Sequence, residues 1–296
     1  MKNYNKVLII YNPNAMKGEI DEKLPYIKQR LFLRYSQVDS ICSPTEQGLE
    51  QLTIKNAPLY DIIVACGGDG TVNRILNGVA KSEAETLVAI LPYGTSNDIA
   101  RTLNVPFELD KAIDCILRLN FAKYDLMYDG SNYITSSLSG GYLTTTIYST
   151  SVTAKKRLGK FAYVLSALKH LFKFKALPLT VTCDGERVHD KFLYFLLINS
   201  SSVNGFNINK KDDFNNGKVR LVLIKKGKFL GGFFSYLKLM FRGVDAIKKH
   251  KLVYVRDVRK VEIENHSNTP FIIDGEKTKF LKAKIQVSRP ISIVRN

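Results

Sequence analysis

Three short, unbroken apolar runs, each ending at a turn built of glycine, asparagine or proline, constrain this chain more than any other feature. They are Lys6-Val7-Leu8-Ile9-Ile10-Tyr11 before Asn12-Pro13, Asp61-Ile62-Ile63-Val64-Ala65-Cys66 before Gly67-Gly68-Asp69-Gly70-Thr71, and Leu87-Val88-Ala89-Ile90-Leu91 before Pro92. Runs of this length without polar alternation read as strands buried on both faces. Helical patterns lie between and after them. Thr71–Ala80 carries Val72, Ile75, Leu76 and Val79 on one face, Pro25–Tyr35 reads as a helix, and Ile99–Leu103 begins a short one. Asp110 is placed to cap a further helix, with Ala112, Ile113, Ile116 and Leu117 on its apolar side. Repeated strand–turn–helix units of this kind predict a parallel sheet covered by helices on both sides.

The texture changes near residue 128. Short β-branched and aromatic runs such as Tyr133-Ile134-Thr135, Leu179-Thr180-Val181-Thr182, Phe192–Ile198, Val219–Ile224 and Val261-Glu262-Ile263 alternate with Asp-Gly, Asn-Gly and Gly-Gly turns. That pattern predicts a mainly antiparallel β domain. Phe161–Lys175 and Phe229–Lys249 interrupt it with helical, basic and aromatic character.

The turns carry the chemistry. Glycines at 67, 68 and 70 let backbone approach a ligand, and the helix that follows presents unpaired N–H groups to an anion. Pro92-Tyr93-Gly94-Thr95-Ser96-Asn97-Asp98 repeats the arrangement after the third strand, and in a doubly wound sheet such turns share the carboxyl edge where ligands bind. Neither G-x-x-x-x-G-K-[ST] nor G-x-G-x-x-G is present, so the phosphates would be held mainly by backbone amides, with the Thr71 and Thr95 hydroxyls. Asp69 and Asp98 beside a phosphate site would repel it unless Mg²⁺ lies between; otherwise Asp98 is a helix N-cap and Asp69 a turn residue.

Charge separates the halves. Net charge is +17, yet residues 1–127 carry 14 basic and 15 acidic side chains, so the whole excess falls after them. A polyanionic surface, nucleic acid or anionic lipid, is the implied partner. No nucleic-acid-binding motif accompanies the charge, and nucleic acid is not expected. Cys42, Cys66, Cys115 and Cys183 are scattered, as are the four histidines, which argues against a disulfide framework, a thiolate metal site or a His-centred catalyst, and suits a reducing cytoplasm. No apolar stretch approaches the ~20 residues a membrane span requires. The basic, aromatic helices at 161–175 and 229–249 suit an anionic membrane surface; packing on the β domain is the plainer alternative.

Gly67-Gly68-Asp69-Gly70-Thr71-Val72-Asn73-Arg74 followed by Leu91-Pro92-Tyr93-Gly94-Thr95-Ser96-Asn97-Asp98-Ile99-Ala100-Arg101 resembles the nucleotide-binding core of the diacylglycerol kinase catalytic family. The likeness continues through Gly159-Lys160-Phe161-Ala162-Tyr163 to Ile273-Asp274-Gly275-Glu276. It implies an N-terminal Rossmann-like α/β domain (1–127, with a final strand at about 287–296) and a C-terminal antiparallel β-sandwich (128–286), with the active site between them. It implies ATP as phosphoryl donor, contacted by Asn12, Gly67, Gly68, Asp69, Gly70, Thr71, Gly94, Thr95 and Asn97. Asp69, Asp98 and Glu276 would organise Mg²⁺, and Asp274, with Glu276 beside it, would take the proton from a lipid hydroxyl. Asp-Gly-Glu also occurs at 184–186; the copy at 274–276 is favoured by its place in the pattern.

The substrate implied is diacylglycerol drawn from a membrane, the product phosphatidic acid, and the location cytoplasmic, at the inner face of the membrane. Phosphatidylglycerol, a sphingoid base or a soluble acceptor such as NAD are alternative substrates, a non-catalytic regulator is an alternative role, and a homodimer is left open. Three departures from the family pattern stand out: the first turn reads Asn12-Pro13-Asn14-Ala15-Met16-Lys17-Gly18 where a Ser-Gly pair usually follows sooner, Arg74 occupies a position where glutamate is common, and Asn215-Asn216-Gly217, after Asp212-Asp213, replaces the Asp-Gly that accompanies a structural metal.

Overall fold

The computed structural model describes residues 4–13, 18–141, 176–210, 213–227 and 231–296. Four parallel strands form the N-terminal sheet: β1 (Lys6–Tyr11), β2 (Gln37–Cys42), β3 (Ile62–Gly67) and β4 (Leu87–Pro92), in the order β2-β1-β3-β4. The central three are buried along almost their whole length, which their unbroken apolar sequences require. Helices α1 (Ile20–Leu31) and α5 (Leu109–Arg118) pack together, as do α2 (Glu46–Asn56) and α3 (Asp69–Ser82), giving the sheet its two helical covers.

The first helix differs from expectation. It runs Ile20–Leu31 rather than Pro25–Tyr35, with Pro25 inside it. Ile20, Ile27 and Leu31 form its buried stripe and Asp21 and Glu22 favour its positive end, so amphipathic burial outweighs the proline. Tyr35 lies beyond it, its hydroxyl donating to the Ile116 carbonyl. Nor does Asp110 cap α5. Glu108 takes the cap position, and the Asp110 carboxylate instead accepts from Tyr26 and pairs with Arg30.

Beyond residue 120 the strands are antiparallel: β5 (Phe121–Tyr128), β6 (Tyr133–Ile134), β7 (Ser137–Gly140), β8 (Leu177–Cys183), β9 (Glu186–Ile198), β10 (Ser202–Val203), β11 (Phe206–Asn207), β12 (Val219–Lys225), β13 (Val253–Val258), β14 (Lys260–Asn265), β15 (Phe271–Ile273), β16 (Glu276–Thr278) and β17 (Lys282–Val294). One apolar core gathers Leu179, Val181, Phe195, Leu221, Ile263 and Phe271. A second lies on the other face of β9 and β12, where α6 (Gly231–Arg242) supplies Phe233, Tyr236, Leu239 and Met240. The Phe192–Ile198 run is continuous because it faces a core on each side.

The last strand ties the halves together. The start of β17 pairs with β14, its later residues run antiparallel to β5, and Ile293 pairs with Val88 of β4 in parallel. The register shifts between Val287 and Pro290, where a proline offers no N–H to a ladder.

Candidate active site

Parallel register brings the glycine turns to one edge. Tyr11 stands opposite Cys66 and Gly67 opposite Pro92, so Asn12 and the turns after β3 and β4 emerge side by side. The order β2-β1-β3-β4 reverses direction between β1 and β3, and this edge is therefore the crevice of the sheet. The Tyr93 N–H donates to the Gly67 carbonyl at 2.9 Å. The Gly68 and Gly94 backbones meet so closely that a Cβ on Gly94 would sit 2.6 Å from the Gly68 Cα. Asn97, in the left-handed region at φ 49°, closes its turn by accepting from the Gly94 N–H and donating to the Gly94 carbonyl, both at 2.8 Å. Gly68 opens α3 with no side-chain cap, leaving the first-turn N–H groups for a ligand. Thr71 is buried within that first turn, while Thr95 is exposed.

Asp69 and Asp98 do unequal jobs. The Asp69 carboxylate accepts from the Asn97 N–H at 2.8 Å and the Asp98 N–H at 2.6 Å, which caps α4 (Asp98–Thr102) from the neighbouring turn. Asp98 is not the N-cap. Its carboxylate reaches across to the β10–β11 hairpin, accepting from the Ser202 hydroxyl at 2.6 Å and the N–H groups of Asn204 and Gly205 at 2.8 and 3.0 Å. Burial, reinforced by the nearby Asp98 charge, pushes the Asp69 carboxyl above the usual carboxylate range.

Asp274 lies across the cleft. It and Gly275 both have positive φ, 47° and 93°, and form the turn between β15 and β16, so the Asp-Gly turn signal and the site signal coincide here. Its carboxylate faces inward. Oδ1 accepts from the N–H groups of Ser136 and Ser137, each at 2.8 Å. Oδ2 accepts from the Thr135 N–H at 2.6 Å, the Thr135 hydroxyl at 3.0 Å and Asn73 Nδ2 at 2.8 Å. Burial raises the Asp274 carboxyl above its ordinary value, against the opposing pull of those N–H donors. Asp69, Asp98 and Asp274 all line one cavity of about 170 Å³, together with Ile99, Val203 and Ile272. Asp184, of the other Asp-Gly-Glu, instead accepts from the backbone of Arg259 and Lys260 at an exposed hairpin.

Glu276 is not part of that group. It lines a neighbouring cavity of about 220 Å³ and pairs with Arg74, whose guanidinium also meets Glu46 and Glu50. The expected Mg²⁺ set of Asp69, Asp98 and Glu276 is therefore not assembled: among the described residues, no three His, Cys, Asp or Glu side chains converge to hold a metal. The reason is electrostatic, since the cation on α3 draws Glu276 to itself. The Asp69–Asp98 pair does fit a hydrated divalent cation. Two carboxylates line one cavity, and although backbone N–H groups and the Ser202 hydroxyl donate to them, no cationic side chain pairs with either among the described residues.

The basic segment at 161–175, expected to be helical, lies outside the described residues, as does Asp212. In the described part of the second segment an α-helix runs Gly231–Arg242, a 3-10 turn follows at Val244–Ala246, and most apolar side chains of the α-helix pack inward as α6. Phe234 and Phe241 stay outside, 62% and 48% exposed. Thr135, Ser136, Ser137, Ser202 and Asn204 were not singled out by sequence. Asn73 was quoted within the glycine motif without a role, and the polar run 135–137 between apolar strands was the one local signal.

Comparison with known proteins agrees with this architecture. A family model for the diacylglycerol kinase catalytic domain matches residues 6–128, and one for a YegS C-terminal NAD kinase beta sandwich-like domain matches residues 138–293. A protein named diacylglycerol kinase from Staphylococcus haemolyticus is 30% identical over 271 residues, covering 90% of this chain and 81% of that one. Another from Staphylococcus saprophyticus is 29% identical over 272 residues, covering 90% and 88%. A crystal structure of a diacylglycerol kinase from Bacillus anthracis superposes with a TM-score of 0.83 at 22% identity, covering 100% of this chain and 99% of that one, and shares the fold. The chain belongs to the diacylglycerol kinase-like lipid kinase family.

Proposed function

We propose that this chain transfers the γ-phosphoryl group of ATP to the hydroxyl of a membrane lipid, diacylglycerol in the simplest case, giving phosphatidic acid. The observation that carries the reading is the cleft itself. Two acidic side chains, Asp69 from the glycine turn after β3 and Asp98 from the turn after β4, and a buried, donor-ringed Asp274 face one cavity that Ile99, Val203 and Ile272 also line. The triphosphate would lie over the Gly68 and Gly94 turns, held by first-turn N–H groups of α3, with Asn12, Thr71 and Thr95 at the same edge. Mg²⁺ held at Asp69 and Asp98, in part through water, would neutralise charge on the phosphate oxygens.

The acceptor hydroxyl oxygen attacks the γ-phosphorus while the bond from that phosphorus to the β–γ bridging oxygen breaks, and ADP departs with the electron pair. The hydroxyl proton passes to Asp274. Both Asp274 oxygens are already occupied by donors; two of these, the Thr135 hydroxyl and the Asn73 amide, are on side chains, and the hydroxyl at 3.0 Å is the longer contact. The acceptor hydroxyl takes its place on Oδ2. The remaining donors keep the carboxylate oriented, and its raised pKa makes it a stronger base than an exposed aspartate.

A soluble acceptor is the second reading, favoured by the NAD kinase-like description of the domain matching residues 138–293. Incubation with labelled ATP and either a total lipid extract or NAD separates the two. Label in a lipid product supports the proposal; label in NAD alone, or none in any lipid, overturns it.

A further inference from the structure

The outward stripe of α6 has a composition its packing does not explain. Phe234, Lys238 and Phe241 succeed one another at helical spacings of four and three, and all are exposed, as is Arg242 next in the chain. The buried face of the same helix already supplies Phe233, Tyr236, Leu239 and Met240 to the β9–β12 core; Phe241 touches that core edge-on at Phe206, yet it and Phe234 keep about half or more of their surface in solvent. Past the helix, Lys248, Lys249 and Lys251 are exposed too. Lys248 pairs with Asp245; Lys238, Arg242, Lys249 and Lys251 form no ion pair among the described residues. Exposed aromatic rings interleaved with unpaired cations match the boundary of an anionic bilayer, where rings enter the headgroup region and cations meet lipid phosphates. An acidic protein would match the cations as well, but phenylalanine rings left half in solvent beside them suit the headgroup boundary.

This face is wired to the cleft. Gly243, at φ 80°, ends α6 close against Ile208, and the Val244 N–H donates to the Ile208 carbonyl at 2.7 Å. The N–H groups of Ile208 and Asn209 donate to the Ser201 carbonyl at 3.1 and 3.0 Å, and the Ser201 N–H donates to the Thr102 hydroxyl at 2.8 Å. Phe241 packs edge-on against Phe206 at 6.3 Å, on the hairpin whose Ser202, Asn204 and Gly205 hold the Asp98 carboxylate. Val203 and Asn204 of that hairpin also line the catalytic cavity.

We propose that the outer face of α6 docks on an anionic lipid bilayer and that docking braces the β10–β11 hairpin, which holds Asp98 in the cleft. The inference rests on reading the chain as a kinase of bilayer lipids, but its test does not depend on turnover. Full-length protein is sedimented with vesicles of phosphatidylcholine alone and of phosphatidylcholine with phosphatidylglycerol. Wild type binds the anionic vesicles and not the neutral ones. Phe234→Ser/Phe241→Ser lowers binding tenfold or more, and Lys238→Gln/Arg242→Gln lowers it about fivefold per cation removed. All four side chains are exposed, and circular dichroism of each variant checks that folding is intact.

Hydrogen exchange at the Asn204 and Gly205 amides reads the second half of the proposal: anionic vesicles slow it in wild type and leave it unchanged in the phenylalanine variant. Equal vesicle binding by wild type and both variants, or no preference for anionic vesicles, overturns the docking face. Unchanged amide exchange on docking overturns the brace. Failure to phosphorylate any lipid while docking persists counts against the proposed reaction and leaves the docking face standing.

Discussion

The guanidinium of Arg74, on the helix that opens with the phosphate cradle, is paired with the carboxylate of Glu276, 202 positions later in the chain and two residues beyond Asp274. The pair joins the nucleotide half to the turn that carries the proposed base. Glu46 and Glu50 approach the same cation, and although burial works against its charge, Glu276 and Glu46 hold the Arg74 pKa above its ordinary value. Arg74→Glu sets a fourth acid among three. The expected cost is about 1–2 kcal/mol, between that of exposed and buried ion pairs, with a lower melting temperature. Arg74→Lys keeps the charge and loses less. A melting temperature for Arg74→Glu equal to wild type would show that the bridge does not hold the halves together.

Asp274→Asn tests the base. Turnover should fall about 10²–10⁴-fold, the range for loss of a positioned proton acceptor. ATP affinity should stay near wild type, because the glycine turns lie on the other wall of the cleft. An asparagine has one acceptor oxygen, so some of the donors from Thr135, Ser136, Ser137 and Asn73 lose their partner, at about 1–3 kcal/mol for each buried group left unpaired. Thermal unfolding must therefore be measured beside the kinetics. Undiminished turnover in a folded variant removes Asp274 from the chemistry.

The nucleotide half was largely legible in the sequence because its signals are local. The strands ending at Tyr11, Gly67 and Pro92 are unbroken apolar runs, and their turns announce a ligand edge. Strand β2 and helix α2 were not singled out. Along β2 only Val38 is buried, so no apolar run betrays it. What the sequence could not show was partnership at a distance. Asp98 reads as a metal ligand or a helix cap, and its hold on the hairpin at 202–205 shows only in the fold; Glu276 reads as a metal ligand, and its pairing with Arg74 shows only there too. Pro25 misplaced a helix for the opposite reason: a strong local signal lost to the buried stripe of Ile20, Ile27 and Leu31.

The raised pKa of Asp274 predicts a pH dependence with a definite sign. A base must be deprotonated, so the acidic limb of kcat/KM, which reports the free enzyme, should lie above the ordinary aspartate value of about 4. Stability runs the other way. The fold favours the protonated form, so this group's contribution is fully present below the unfolded pKa and is lost as pH rises through the folded one. Thr135→Val removes a donor to the charged form in the free enzyme and should move the acidic limb of kcat/KM to higher pH. An unshifted limb in Thr135→Val would mean that some other group governs it.

Gly94→Ala probes the meeting of the two turns. The added Cβ would fall 2.6 Å from both the Gly68 Cα and the Asn97 Oδ1, and a backbone neighbour cannot swing aside as a side chain can. The turns must part or the Asn97 clasp on Gly94 must open, costing roughly 1–3 kcal/mol as in other overpacked sites. ATP binding should weaken tenfold or more while the sandwich core, which lacks these residues, is left intact. Calorimetric titration with ATP that gives wild-type affinity for Gly94→Ala would mean the triphosphate does not lie over this contact.

Removing the metal tests the acidic pair. Asp69 and Asp98 line one buried cavity, and their mutual repulsion helps lift the Asp69 carboxyl, so a divalent cation between them should relieve a cost the apo protein carries. A ligand that binds only the folded state adds about 2.7 kcal/mol at a hundred times its Kd, and Mg²⁺ with ATP should raise the melting temperature accordingly. Chelation should reverse the rise. Asp69→Asn keeps one acceptor for the α4 N–H groups but removes the charge, and should lose most of the Mg²⁺-dependent part of the shift. Glu276→Gln should retain it, because Glu276 faces Arg74 in the adjoining cavity. If Glu276→Gln abolishes the Mg²⁺-dependent shift and Asp69→Asn does not, the metal sits on the Arg74 side, and the assignment of the two cavities is reversed.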